Sequence, residues 1–182
     1  MFTQGIWILA RSSRFDSLQN GLLLFVCHSI NSIHKFTICR FLEEETRLDI
    51  LINNAGVAWS PEGLTKDGLE MQMGVNHFGH FLLTKLLVNR MKLCAPSRVI
   101  TISARAHWAG CLSLENLQLL YEPMHGFKSY ARSKLANILF TKALAKRLTG
   151  TGVTANCLHP GIIRTNIRQH IEKTLRWVPR FL

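Results

Sequence analysis

A doubly wound parallel α/β sheet is the fold class predicted for this chain, on two observations. Three short apolar runs, residues 48–52, 98–103 and 153–158, have the length of buried parallel strands, and two of them are rich in β-branched residues. Segments with apolar residues at helical spacing separate them, at 65–92 and 128–148. Strands alternating with helices place the strands side by side, the helices on the sheet faces, and any ligand at the strands' carboxyl ends.

The elements follow in order. Residues 6–10 and 22–26 are apolar and read as strands, whereas 12–21 is too short and too polar for a helix. The spacing at 31–46 predicts a helix that ends in an acidic, polar turn. The segment 65–92 predicts one helix with a weak point near Gly74. Residues 128–148 form the cleanest helical pattern, and Gly150 and Gly152 supply its stop.

The 182 residues, 47% hydrophobic and 18% charged, suit one globular domain with a sizeable core. The net charge of +11 admits nucleic acid, anionic lipid, a phosphate-bearing cofactor, or a plain basic surface. Lys and Arg are scattered and not interleaved with aromatic residues, which argues against nucleic acid. No apolar run approaches the roughly 20 residues of a bilayer span, and no basic n-region precedes an apolar segment. The expectation is an intracellular chain, cytoplasmic or peripheral to a membrane surface, without a signal peptide or transmembrane helix. The five cysteines form no CxxC pair, so reduced, mostly buried thiols are expected rather than a disulfide or zinc framework. His77 and His80 share a helix side with no third ligand nearby in sequence, so no metal site is expected.

The candidate chemistry centres on Tyr130 and Lys134. Four residues is about one helical turn, so both side chains face one way. A free phenol has a pKa of about 10, and a fixed cation beside it stabilises the phenolate and draws that value toward neutrality. Such a pair also arises by chance. Asn53, Asn54, Ala55 and Gly56 follow the run 48–52, where small residues let a flat ligand approach the backbone, or where a plain turn forms. Asn76 is an unusual residue for the inward face of a helix, whether as a functional group or as a local kink. His159, Pro160 and Gly161 follow the third run, with Thr165 a few residues later.

Together these residues resemble the short-chain dehydrogenase/reductase family, closest to its retinol dehydrogenase-like members. The resemblance is carried by Leu51-Ile52-Asn53-Asn54-Ala55-Gly56, by Asn76-His77-Phe78-Gly79-His80-Phe81, by Tyr130 to Lys134 with Leu135-Ala136-Asn137, and by His159-Pro160-Gly161. It implies a Rossmann-like fold in a single domain, 1–182. It implies that Tyr130 is the proton donor to a carbonyl oxygen, or the base in reverse. Lys134 would tune Tyr130 and bind the nicotinamide ribose, and Asn76 would hold a water in a relay to Lys134. Asn54, Ala55 and Gly56 would line the adenosine half of the cleft, and Pro160, Gly161 and Thr165 would bracket the nicotinamide. The implied cofactor is NADP(H) ahead of NAD(H), with Arg11 against a 2′-phosphate or simply a surface arginine. The implied substrate is a small apolar alcohol or carbonyl, of the retinol or lipid-aldehyde kind. A homodimer through the helices carrying Asn76 and Tyr130 is a further implication.

Two departures from the family pattern are expected to impair activity. The strand ends Ser103-Ala104 where the family has Ser-Ser, so Ala104 takes the catalytic position. Alternation turns Ser103 to the other face, and Ser103 serves catalysis only if the strand shifts locally. No G-x-G-x-x-G loop occurs, and the family's first strand is lacking, so the fold is expected to be incomplete and the chain truncated at both ends. Residues 6–10 then resemble the family's second strand and 22–26 its third. The slot beside 48–52 must be filled by another segment or left as an open, aggregation-prone edge. The alternative function is that of a non-catalytic family member acting through dimerisation or partner binding.

Overall fold

The computed structural model describes residues 6–9, 22–25, 33–118 and 124–161. They form strands β1 (Ile6–Leu9) and β2 (Leu22–Phe25), helix α1 (Ile33–Glu44), strand β3 (Ile50–Asn53) and the single-turn helix α2 (Met71–Met73). A π turn (Gly74–Phe78) leads from α2 into α3 (Gly79–Leu93). Strand β4 (Ser97–Ile102), a 3₁₀ segment (Arg105–Ala109), helix α4 (His125–Arg147) and strand β5 (Val153–Leu158) follow. Strands β3, β4 and β5 are parallel neighbours, with α3 and α4 as the crossovers, which is the predicted α/β architecture.

The sheet order is β2-β1-β3-β4-β5. The slot beside β3 is filled by β1, which runs antiparallel and pairs Trp7 with Ile52, Ile8 with Leu51 and Leu9 with Ile50. Strand β2 pairs antiparallel with β1 on its far side. The slot that the lacking first strand was expected to leave beside β3 is thus filled by another segment, in the antiparallel sense. An apolar strand carries a row of N–H and C=O groups that must be paired, and the nearest unpaired strand of the chain meets that demand.

The segment 65–92 is not one helix. Thr65 N donates to Leu69 O at 2.7 Å, and the Thr65 hydroxyl accepts from Asp67 N and Leu69 N, closing a tight turn in which Gly68 has φ +74°. That turn suits glycine and excludes helix. Helix begins only after Glu70, whose carboxylate accepts from Gln72 N at 3.1 Å and Met73 N at 2.7 Å. The weak point near Gly74 is the π turn itself.

The core lies between the sheet and α1, α3 and the end of α4: Ile38, Phe41, Leu48, Leu51, Leu83, Leu87, Met91, Val99, Leu148 and Val153 are buried. Each such side chain contributes roughly 1.5–3 kcal/mol on leaving water. Arg90 of α3 ties this core to the end of α1 by donating to the carbonyls of Leu42 and Glu45. Among the described cysteines, Cys94 is buried and Cys157 half-buried, whereas Cys39 and Cys111 are exposed, which corrects the expectation of mostly buried thiols. Among the described residues, no helix is long and apolar enough to cross a membrane.

Gly110 seats the 3₁₀ segment on α4. A Cβ there would stand 2.7 Å from the Ala131 carbonyl oxygen and 3.0 Å from Leu135 Cβ. Gly110→Ala is expected to cost about 1–3 kcal/mol by lifting this segment from the helix that carries Tyr130. The check is the shift in urea midpoint at unchanged slope.

Candidate active site

The carboxyl end of β3 starts the site. Asn53 is fully buried, and its Nδ2 donates to Thr84 Oγ1 of α3 at 3.0 Å and reaches Thr101 Oγ1 of β4 at 3.5 Å. This fixes where the chain leaves the sheet, and Asn54, Ala55 and Gly56 follow at once. Ala55 is buried, and Asn54 and Gly56 are half-buried.

Asn76 holds that loop. It lies in the π turn with no exposed surface. Its Oδ1 accepts from Val57 N at 2.8 Å, and its Nδ2 donates to Val57 O at 2.9 Å and to Ser133 Oγ of α4 at 2.9 Å. The extra residue of a π turn widens the helix locally, and such turns recur at functional sites. The side-chain amide is engaged with protein groups on the loop and on α4. A Cβ placed on Gly56 would stand 3.4 Å from Asn76 Oδ1 and 3.7 Å from Lys134 Nζ. Gly56, Asn76 and Lys134 therefore converge on one cradle.

Helix α4 brings Tyr130 and Lys134 to this cradle. The Lys134 Nζ lies 5.5 Å from the Tyr130 ring centroid, so the two share a face as the four-residue spacing predicts. Lys134 is buried, and its amine donates to the Ile102 carbonyl at 3.2 Å. Burial pushes it down to about 8 from 10.5, with the nearby Cys157 opposing. Burial likewise pushes Tyr130 up to about 12 from 10.0. The expected lowering of the tyrosine by its lysine is thus corrected. Loss of water outweighs the cation, which sits over the ring.

Ser103 is buried, and its hydroxyl donates to the Lys134 carbonyl at 2.9 Å, anchoring α4 to the end of β4. Ala104 is extended (φ −148°, ψ 158°) and half-buried. It borders a cleft of about 440 Å³ with Ser103, His107, Cys157, Leu158 and His159. Pro160 and Gly161 are exposed at the carboxyl end of β5, the same end of the parallel strands. Thr165 and Arg11 lie outside the described residues.

Sequence reasoning missed the groups that register α4 against the helix before it. Glu70 and His125, both buried, approach to 3.4 Å. Gln72 Nε2 donates to Gly126 O at 2.9 Å, Asn76 meets Ser133, and His77 Nδ1 lies 3.1 Å from Asn137 Oδ1. These partners are separated by 54 to 60 residues in sequence, and no local pattern announces them.

A family model described as enoyl-(acyl carrier protein) reductase matches residues 34–179. The chain belongs to the short-chain dehydrogenase/reductase family. It is 51% identical over 142 residues to human retinol dehydrogenase 13, covering 78% of this chain and 43% of that protein. It is 51% identical over 154 residues to mouse retinol dehydrogenase 14, covering 84% and 45%. The chain thus spans less than half the length of these curated relatives. Among solved structures, a protein from Mycobacterium paratuberculosis matches with TM-score 0.62 and 42% identity over 74% of this chain and 50% of that one. The Pseudomonas aeruginosa RhlG/NADP active-site complex matches with TM-score 0.56 and 28% identity, over 79% and 54%. The curated relatives carry the name retinol dehydrogenase, and one of these solved structures is an NADP complex.

Burying Lys134 has a consequence for stability. Between pH 8 and 10.5 the unfolded lysine holds a proton that the folded one has lost, so stability rises with pH across that window. Below it, the buried charge costs about 3 kcal/mol. Lys134→Met is expected to stabilise the fold by about 1–3 kcal/mol at pH 7, with the gain vanishing toward pH 10.5. Urea denaturation at both pH values checks the sign and the trend.

Proposed function

We propose that the chain is an NADP(H)-dependent reductase of apolar carbonyls, of the retinal or lipid-aldehyde class, slowed by the absence of a hydroxyl at Ala104. The convergence of Gly56, Asn76, Tyr130 and Lys134 carries this reading. The opening at Gly56, which a Cβ would fill, fits the sugar of a dinucleotide beside the Lys134 amine. Asn54, Ala55 and Gly56 would form the wall of the adenosine half. Pro160, Gly161 and Thr165 would border the nicotinamide, and Arg11 would meet a 2′-phosphate. The reduced cofactor, when bound, supplies hydride to the carbonyl carbon.

Tyr130 gives its hydroxyl proton to the carbonyl oxygen. A tyrosine held near 12 stays protonated throughout the physiological range, so it carries the proton that reduction requires. Lys134, near 8, keeps its proton at neutral pH and offers positive charge to a developing alkoxide and to sugar hydroxyls. Asn76 acts by holding the loop wall at Val57. Ala104 offers no donor to the substrate oxygen, and Ser103 is turned to the Lys134 carbonyl. A missing donor of this kind lowers rate by about 10²–10³. With no G-x-G-x-x-G in these 182 residues, dinucleotide binding is proposed to be weaker than in a family member that has the loop.

The same alanine supports a second reading, a non-catalytic family member that works through association. Phe81 and Leu139 are exposed on α3 and α4 beside a groove of about 320 Å³, a surface suited to a second copy or to a membrane surface.

Fluorescence titration with NADPH and carbonyl-reduction assays decide between them. Tyr130→Phe is expected to abolish turnover and retain most cofactor binding. Equal turnover in that variant removes Tyr130 as the acid. Ala104→Ser is expected to raise turnover about 10²-fold. An Ala104→Ser protein that binds NADPH yet reduces no aldehyde favours the second reading.

A further inference from the structure

The Ile102 carbonyl accepts from Lys134 Nζ at 3.2 Å and from Asn137 Nδ2 at 3.2 Å. A carbonyl oxygen has two lone pairs and no proton, so these two donors fill it. The orientation of the Asn137 amide follows, with Nδ2 toward Ile102 and Oδ1 away from it. That Oδ1 lies 3.1 Å from His77 Nδ1. An amide oxygen only accepts, so His77 carries a proton on Nδ1. The π turn supplies both His77 and its neighbour Asn76, and so presses both against α4. The His77 ring is further held by Phe78 and Phe140, at centroid distances of 5.3 and 6.0 Å. Thr141 Oγ1 donates to the Asn137 backbone carbonyl at 2.8 Å, fixing the helix below it.

We infer that Asn137, oriented by His77, is a positioning residue that holds the Lys134 amine at the Gly56 cradle by sharing the Ile102 carbonyl. Neither residue touches the reacting atoms. Asn137 occupies the second lone pair, so the amine is confined to the first, on the side of Gly56 and Asn76. The role of Lys134 in binding and turnover is that of the function proposed above, and this inference rests on it for its functional consequence only. The hydrogen-bond chain itself is a property of the fold.

Lys134 has Tyr130 on its own helix and Cys157 on β5. His77 has Asn137 and Phe140 on α4, with Arg147 further along the same groove. Burial holds His77 below its ordinary value, which agrees with a neutral ring that donates from Nδ1.

The test is side-chain NMR on the full 182-residue chain, joined to NADPH binding. In wild type, ¹⁵N shifts of the His77 ring are expected to show the Nδ1–H form. Lys134 is expected to titrate near 8. Asn137→Asp places a carboxylate beside the amine, favours its charged form, and is expected to raise the Lys134 midpoint by about one to three pH units. His77→Phe frees the Asn137 amide and is expected to weaken NADPH binding about tenfold. His77→Gln can still donate to Oδ1 and is expected to recover most of that loss. An Nε2–H ring in wild type overturns the inference, even if every variant fails to fold. An unmoved Lys134 midpoint in folded Asn137→Asp also overturns it. A wild type that binds no NADPH defeats the proposed function instead, while ring form and lysine midpoint still decide this inference.

Discussion

One buried amide holds the site together. Asn76 clasps both backbone groups of Val57 and reaches Ser133, so the loop after β3, the π turn and α4 meet at a single side chain. A primary amide in the interior has two donor hydrogens and an acceptor oxygen, and leaving them unpaired costs about 1–3 kcal/mol each. The three elements are therefore bound to one relative placement. Lys134 faces Gly56 because α4 is registered at Ser133, one residue before it. The neighbouring contacts, Gln72 with Gly126 and His77 with Asn137, extend the same seam above and below.

The enclosure that orders these side chains also sets their charge. Tyr130 moves up and Lys134 moves down for one reason, the loss of water. A phenol that keeps its proton is an acid, and an amine buried against a carbonyl weakens the fold while serving the site. Stability and chemistry are thus opposed at Lys134, as at many functional positions. Ala104 and Ser103 show a related division on β4. Both adjacent residues border the cleft, but Ala104 offers it no polar side chain and Ser103 uses its hydroxyl to hold the helix.

The sheet solves its own edge problem with what the chain contains. Strand β3 needs a partner on the side away from β4, and β1 supplies it in the antiparallel sense. The parallel half, β3 to β5, carries the loops of the site at its carboxyl ends. The antiparallel half completes the hydrogen-bond ladder and leaves those loops in place.

What the sequence by itself determined is local. Period and composition located β3, β4, β5 and α4 to within a few residues, and a four-residue spacing put Tyr130 and Lys134 on one face. Asn76 stood out as an unusual residue for the inward face of a helix, whereas Gly56 and Ala104 were marked out by the family resemblance. Tertiary structure alone decided the rest. The late start of helix at Met71 came from a capped turn around Gly68, and the direction of β1 came from an unpaired edge. The tyrosine's upward shift came from burial, and the uses of Asn137, His77 and Ser103 came from partners far away in sequence. Backbone pattern records what a residue does within one turn or one strand. Loss of solvent and pairing across elements exist only once the chain has closed on itself.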